Sequence, residues 1–562
     1  MRRHVTYIAL PIIVAAGFLA SPSMPADANS LQNPSSEKTH MTAKQKQAQP
    51  NFSWGAPKPA APVLHPGTAK GAGMIEQPLN AIDSVMRTMM DEDVMPGAVT
   101  LVARSGHIVQ HEAYGHALKY DKEGKQVDDP VQMSEDTIFD IASLSKIFTT
   151  IAAMKLYESG KLKLDAPVAD YIPEFALNGK QHVTVEQLMT HTSGFQPSLQ
   201  LYKMGESRED RLQYVLQYPL ENAPGTTYTY SDLNMITLGA LVERISGIQL
   251  DEFVRKHITK PFNMTDTMYN PPPGLTERIA ATEYQPWTDR GVIRGEVHDE
   301  NAWALDGVAG HAGVFSTAKD LAKLGHMIIN DGNYRGQQIL KPETVEMMTS
   351  NQIPNMPGDA HGLGWEISEG WYMDALADPS AIGHTGYTGT SMVVNQNNNT
   401  IAILLTNRVH PSRDTVSTNP ARRKFARQVA DAIPVTIPAK SDAAWFSGYE
   451  DDANRTLTAA VDVTEQTALS FHTWYRMEEG YDTGTIEVST DGKNWTNAGA
   501  AYTGSNSGWE AEHVQIPKGT KFIRFNYQTD TYTNGRGWYI SNVKLDGESV
   551  DFKSNDWVKR TY

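Results

Sequence analysis

No cysteine occurs anywhere in the 562 residues. That excludes disulfide staples, thiolate catalysis, cysteine-ligated zinc and iron–sulfur clusters, and a lipid carried on an N-terminal cysteine. Basic charge is also in short supply. The 49 Lys and Arg are outnumbered by 65 Asp and Glu, for a net charge of −16. Nucleic acids and anionic membrane surfaces are bound by basic faces, so neither is expected as a partner. Beyond the N-terminus there is no long apolar run, so no permanent membrane anchor is expected there. The chain has no G-x-S-x-G elbow and no H-E-x-x-H, which disfavours a Ser-His-Asp hydrolase and a zinc protease.

The N-terminus itself has the layout of an export signal. Met1-Arg2-Arg3-His4 is basic, residues 5–20 are apolar with Pro11 inside them, and Ala26-Asp27-Ala28 offers small residues for cleavage. A membrane anchor is the alternative, but the run is short for a bilayer and holds a proline. Residues 1–28 are therefore expected to be removed. The mature protein is expected to be secreted into the extracellular space, with the cell wall as a place of association. Residues 29–73, rich in Pro, Ala, Lys, Gln and Ser as in Lys58-Pro59-Ala60-Ala61-Pro62, lack apolar periodicity and read as a flexible spacer.

From residue 74 the pattern becomes globular. Helical spacing over residues 79–90 is followed by the turn Pro96-Gly97. A β-rich run, residues 98–103, then turns at Ser105-Gly106 into a partner strand, residues 107–111. Helices are expected from Thr184, capped by its own side chain with Gln187, through a run closed by Ser246-Gly247, and again over residues 318–330. Strands return at residues 391–395 and 400–406, joined by Gln396-Asn397-Asn398-Asn399, and a helix at residues 421–433 ends the segment. Strands at both ends with helices between them predict an α+β domain, residues 74–433, whose sheet joins early and late chain. Residues 434–442 read as a linker. Residues 443–562 alternate apolar and polar, carry many aromatics and show no helical period, which predicts an all-β sandwich of the jelly-roll kind.

Chemistry concentrates in a few stretches. Ser143 and Lys146 stand three residues apart at the head of an apolar helical run, on one face of its first turn. A serine hydroxyl needs a neighbouring base, and a desolvated lysine can be one. Tyr230 and Asp232 precede a second helix; a phenol held near a lysine can carry protons. His384-Thr385-Gly386-Tyr387 precedes a strand, where glycine allows close approach and a strand edge can pair with a peptide-like substrate. His191, in Thr190-His191-Thr192-Ser193-Gly194, reads as a hydrogen-bonded loop residue.

Together these stretches resemble the serine β-lactamase and penicillin-binding protein superfamily. The likeness is to the branch of class C β-lactamases, penicillin-binding proteins of the 4B kind, muramyl-peptide amidases and esterases. Ser143-x-x-Lys146, Tyr230-x-Asp232 and His384-Thr385-Gly386 occur in that order. The Thr190–Gly194 stretch, Val297-His298-Asp299-Glu300-Asn301 and Gly310-His311-Ala312-Gly313 add to the likeness. It implies a mixed α/β sheet domain with a helical domain. It implies Ser143 as the acylated nucleophile, Lys146 and Tyr230 as shared acid and base, and the backbone N–H groups of Ser143 and Tyr387 as the oxyanion hole. Asp232, His384, Thr385 and Gly386 would contact substrate. Asp232 stands where many relatives have Asn, which would keep Lys146 charged and shift base work to Tyr230. His384 stands where penicillin-recognising enzymes have Lys, and a histidine titrating near pH ~6.5 would hold a substrate carboxylate less firmly.

Residues 443–562 resemble jelly-roll modules of secreted hydrolases, through residues 487–495 and 537–543. Such modules bind glycans, and some hold a structural calcium, for which Glu450, Asp451 and Asp452 are candidate ligands. Trp474, Trp509 and Trp538 would stack on sugars or pack in the core. No catalytic metal or cofactor is expected. The expected activity is acyl-enzyme hydrolysis of peptidoglycan-derived peptides or amides, as a DD-peptidase or N-acetylmuramyl-L-alanine amidase. The alternatives are an esterase on small esters, and a wall- or glycan-binding protein whose hydrolase domain is inactive.

Overall fold

The computed structural model describes residues 57–562 apart from 357, 439 and 440. The expected export signal and most of the expected spacer lie outside these residues.

One sheet organises the first part of the chain. In space its strands run His65–Pro66, His107–Tyr120, Gly97–Arg104, Thr400–Thr406, Ser391–Asn395, Ala381–Thr385, Glu366–Ile367, with Gln126–Gln132 paired to the far end of His107–Tyr120. Every neighbouring pair is antiparallel except the first. The expected union of early and late chain is the pairing of Gly97–Arg104 with Thr400–Thr406. Both faces of this centre are covered, which is why its strands carry almost no polar alternation. Val99, Leu101, Ile401 and Ile403 pack with the helices Ser145–Glu158 and Ala318–Ile329. Ala98, Val102 and Leu404 pack on the other side with Ile82 and Met86 of helix Glu76–Asp91 and with Phe425 and Val429 of helix Asn419–Asp431.

Helix Ser145–Glu158 is buried on all sides from Ser145 to Met154. An all-round apolar helix needs a surrounding core, and helix Asp232–Ser246 supplies part of it through Leu233, Met235 and Leu238. The two catalytic-looking sequence stretches therefore start from the adjacent ends of two rigid elements.

The C-terminal residues form two antiparallel sheets. One orders Glu510–Ile516, Thr467–Arg476, Gly537–Leu545, Ala444–Phe446, Val558–Arg560; the other orders Asn454–Ala460, Phe522–Gln528, Thr483–Ser489, Thr496–Asn497. They share a core of Leu457, Ile486, Ile523 and Phe525 with Phe471 and Trp538. Trp474, Tyr539 and Phe446 belong to a different core, the one under the first sheet, with Tyr372, Met373 and Phe425. Ion pairs frame this joint: Arg423 to Asp451 at 3.0 Å, Arg427 to Asp374 at 2.7 Å and Arg536 to Asp431 at 3.1 Å.

Four expectations change. Residues 57–73 do not hang free: Ala61 and His65 donate backbone hydrogen bonds to the carbonyls of Ser105 and Gly106, Leu64 packs on the main core, and Ala69 and Ala72 are buried in the second. Val435, inside the expected linker, is fully buried. Trp474 and Trp538 are fully buried and Trp509 is partly so, which removes the first two as sugar platforms. Asp451 is spent on Arg423 and Arg427, and Glu450 pairs with Arg455. Three other carboxylates, Glu478, Asp482 and Asp530, have one oxygen each within 4.8 Å of one another.

Candidate active site

Strand Phe139–Asp140 delivers the chain to a tight turn. Ala142 has φ +47, the left-handed region that a side chain resists. Asp140 holds it there: its Oδ1 accepts the Ala142 N–H at 2.8 Å, and its Oδ2 accepts the His298 N–H at 2.6 Å. Burial pushes this carboxyl up, and the two N–H groups act against that. Ser143 follows, part-exposed, in the one-turn helix Ala142–Leu144 that runs into Ser145–Glu158. First-turn N–H groups have no acceptor within their own helix, so the Ser143 N–H stands where a developing oxyanion can use it.

Lys146 is buried, and its ammonium meets three acceptors. Nζ lies 2.9 Å from Ser143 Oγ, 3.1 Å from the His311 carbonyl and 2.8 Å from Asp232 Oδ1. It also sits 4.9 Å from the centre of the Tyr230 ring. Burial alone would push the amine down, but Asp232 and Tyr230 push it up and win, so Lys146 is held charged. The Tyr230 phenol is pushed up by burial and drawn back by Lys146. A charged amine, itself held by a carboxylate, and a phenol thus stand beside one hydroxyl.

The supports were not legible as chemistry. His311 offers its carbonyl to Lys146 while its Nε2 pairs with Asp299 Oδ1 at 2.8 Å. Gly310 packs so tightly on helix Asp232–Ser246 that a Cβ would collide with the Met235 carbonyl. The Gly310-His311 stretch is thereby pinned between the two helices that carry Lys146 and Asp232. His191, at φ +55, receives the Ser231 N–H on Nδ1 at 3.1 Å and lies 4.7 Å from the Tyr230 ring. Burial pushes it well down, so it stays a neutral acceptor. It is the hydrogen-bonded loop residue that the sequence suggested.

The strand edge closes the site. Thr388 and Thr390 donate from Oγ1 to the carbonyls of Asp140 and Ile141, at 2.8 and 3.1 Å. A Cβ on Gly386 would collide with Thr390 Oγ1, so only glycine lets edge and turn meet. Arg422 Nη2 donates to the Gly386 and Thr390 carbonyls at 2.8 and 3.0 Å. The Tyr387 ring stacks on His298 at 5.7 Å. Between edge and helices opens a cleft of about 450 Å³, lined by Ser143, Tyr230, Glu366, Thr385, Gly386 and Tyr387 among others. Burial lifts the Glu366 carboxyl to about 7.

Two of the expected substrate contacts are placed differently. His384 is buried behind the cleft wall, its Nδ1 2.8 Å from the Thr385 carbonyl. Strand alternation turns it toward Tyr230, at 6.0 Å between rings. Burial and then Lys146 push it down to about 3, so it is neutral rather than titrating near pH ~6.5. Asp232 is paired with Lys146 at 2.8 Å. Ser143, Lys146, Tyr230, Thr385, Gly386 and Tyr387 do come together.

A family model described as Beta-lactamase matches residues 82–427. An N-acetylmuramyl-L-alanine amidase of Bacillus subtilis (strain 168) is 34% identical over 357 residues, covering 57% of this chain and 80% of that protein. An Escherichia coli (strain K12) protein called "Putative D-alanyl-D-alanine carboxypeptidase" is 33% identical over 382 residues, covering 62% of this chain and 86% of that protein. The solved structure of a class C beta-lactamase overlays with a TM-score of 0.51 at 19% identity, covering 64% of this chain and 97% of that one.

Proposed function

The chain belongs to the Beta-lactamase family and is a serine hydrolase, and from that premise we propose an exported enzyme that cleaves amide bonds in peptidoglycan-derived peptides through an acyl-enzyme on Ser143. The observation that carries this is the 2.9 Å contact between Lys146 Nζ and Ser143 Oγ at the floor of an open cleft. The Ser143 oxygen attacks the substrate carbonyl carbon. Its proton passes to the Lys146–Tyr230 pair, which then protonates the departing amine as the C–N bond breaks. The N–H groups of Ser143 and Tyr387 receive the oxyanion, where one lost donor typically costs about 10²–10³ in rate. Water then attacks the ester and the proton route runs in reverse. Side chains and backbone of this chain suffice for every step.

The peptide-amide substrate is inferred from the relatives' names, a muramyl-L-alanine amidase and a carboxypeptidase. Secretion is inferred from residues 1–28; among the described residues no helix is long and apolar enough to cross a membrane. The neutral, buried His384 favours uncharged acyl groups over penicillins, and so supports an esterase as the second reading. The test is a turnover panel on the purified chain: a muramyl peptide, a D-Ala-D-Ala peptide, p-nitrophenyl esters and nitrocefin. Release of amine from one of the two peptides, at a kcat/KM at least about tenfold above that for nitrocefin, is the expected result. Turnover of esters alone would replace the amidase reading by the esterase one.

A further inference from the structure

The C-terminal module reaches the rim of the cleft. Two of its loops, residues 478–482 and 529–534, are tied together where Asp482 Oδ1 accepts the Asp530 N–H at 3.3 Å. The second loop is bolted to helix Asn419–Asp431. Arg423 Nη1 donates to the Tyr532 carbonyl at 2.6 Å, and its guanidinium lies 5.4 Å from the Tyr532 ring. The neighbouring residue on that helix, Arg422, lines the cleft. The same loop presses on Gly370, where a Cβ would come 2.6 Å from Thr533 Cγ2. The next residue, Trp371, also lines the cleft. At two points, then, the module touches the residue beside a cleft-lining side chain.

This rim carries two open aromatic faces. Tyr532 is 64% exposed and Tyr481 is 66% exposed, each in one of the joined loops. Arg423 covers one side of the Tyr532 ring and holds it, leaving the other open. The same two loops also carry Glu478, Glu479 and Asp530 and the hydroxyl residues Thr531 and Thr533, and the cation against them is Arg423. Flat apolar faces bordered by hydroxyls and carboxylate acceptors suit a polyhydroxylated ligand such as a sugar. The module's buried tryptophans cannot offer such faces.

We propose that this edge is an outer saccharide subsite of the hydrolytic cleft, with Tyr532 and Tyr481 stacking on the sugar of a substrate whose acyl group lies at Ser143. It rests on the peptide-amide reading of that site and adds the substrate's second half. The module then acts in substrate selection beside the reacting bond, as part of one cleft.

The experiment uses the full chain carrying Ser143→Ala, so that binding is measured without turnover. An N-acetylglucosaminyl-N-acetylmuramyl peptide and the same peptide N-acetylated in place of its sugars are titrated by calorimetry. Adding Tyr481→Ala with Tyr532→Ala is expected to weaken the sugar-bearing ligand about tenfold and leave the Kd of the sugar-free one within twofold. In the active chain the same pair of substitutions lowers the ratio of kcat/KM between the two substrates by a similar factor. An unchanged Kd for the sugar-bearing ligand overturns the proposal, as does a sugar-free peptide binding as tightly as the sugar-bearing one. Equal loss on both peptides assigns the edge to peptide and also overturns it. Turnover that survives Ser143→Ala would sink the acyl-enzyme reading while leaving this binding result standing.

Discussion

Lys146 has three donors, and Ser143, His311 and Asp232 take all three. The consequence lies in protons. Lys146 and Tyr230 are close enough to titrate as a pair, and the pair must shed one proton before it can accept one from Ser143. Asp232 opposes that loss whichever partner makes it, because a nearby carboxylate favours the more protonated state of both groups. Removing the charge should therefore ease deprotonation. Asp232→Asn is expected to move the acid limb of the kcat/KM–pH profile to lower pH by about one unit or more; an unmoved limb, or one moved upward, would show that Asp232 does not set this equilibrium. Ser143, Lys146 and Tyr230 were legible in the sequence because each has a side chain with an evident job. Asp140 was not, because its carboxylate binds backbone N–H groups, and His311 and Asp299 stood only within stretches of family likeness, because the pairing that gives them a role is made by the fold.

Elements with a strong local signal were read close to their true bounds. The Thr184–Gln187 capping box is formed on both sides, and helix Asp232–Ser246 stops at Gly247 with φ +74, where the sequence stops it. The hairpins Gly97–Arg104 with His107–Tyr120 and Ser391–Asn395 with Thr400–Thr406 stand where turn residues announced them. The three-stranded sheet of Phe139–Asp140, Val314–Ser316 and Met268–Tyr269 was not read, since strands of two or three residues have no period. Yet that small sheet brings Gly310-His311 under Lys146. A similar dependence joins strand Ala381–Thr385 to the Ser143 turn through Gly386. Gly386→Ala forces edge and turn apart at the Thr390 hydroxyl, and a displacement near 1 Å at a reacting centre costs about 10²-fold. The variant is expected to lose about that much kcat/KM on its best substrate while keeping its near-ultraviolet circular dichroism. Activity within twofold of the parent would mean that the contact does not position Ser143.

At the scale of the molecule, composition marked a change of character near residue 443 but could not show what lay across it. A Pro-bearing stretch between two differently patterned segments reads as a linker, and covalent sequence says nothing about which faces meet. In the structure Trp474 and Tyr539 from one side and Tyr372, Met373 and Phe425 from the other fill one core. A chain cut before the module would open that core to water, so the module is structural as well as a neighbour of the cleft. The seated residues 57–73 make the same point at the other end, where backbone hydrogen bonds and a few scattered apolar residues fix a segment without apolar periodicity. The net charge of −16 disfavours binding of anionic polymers such as nucleic acids. The covalent bond to Ser143 is the decisive feature of the acyl-enzyme. Intact-mass spectrometry of the full chain after a slow acylating substrate, followed by peptide mapping, should find the acyl mass on the peptide containing Ser143 and none on the Ser143→Ala chain. An adduct on another residue, or an acyl mass on the Ser143→Ala chain, would contradict it.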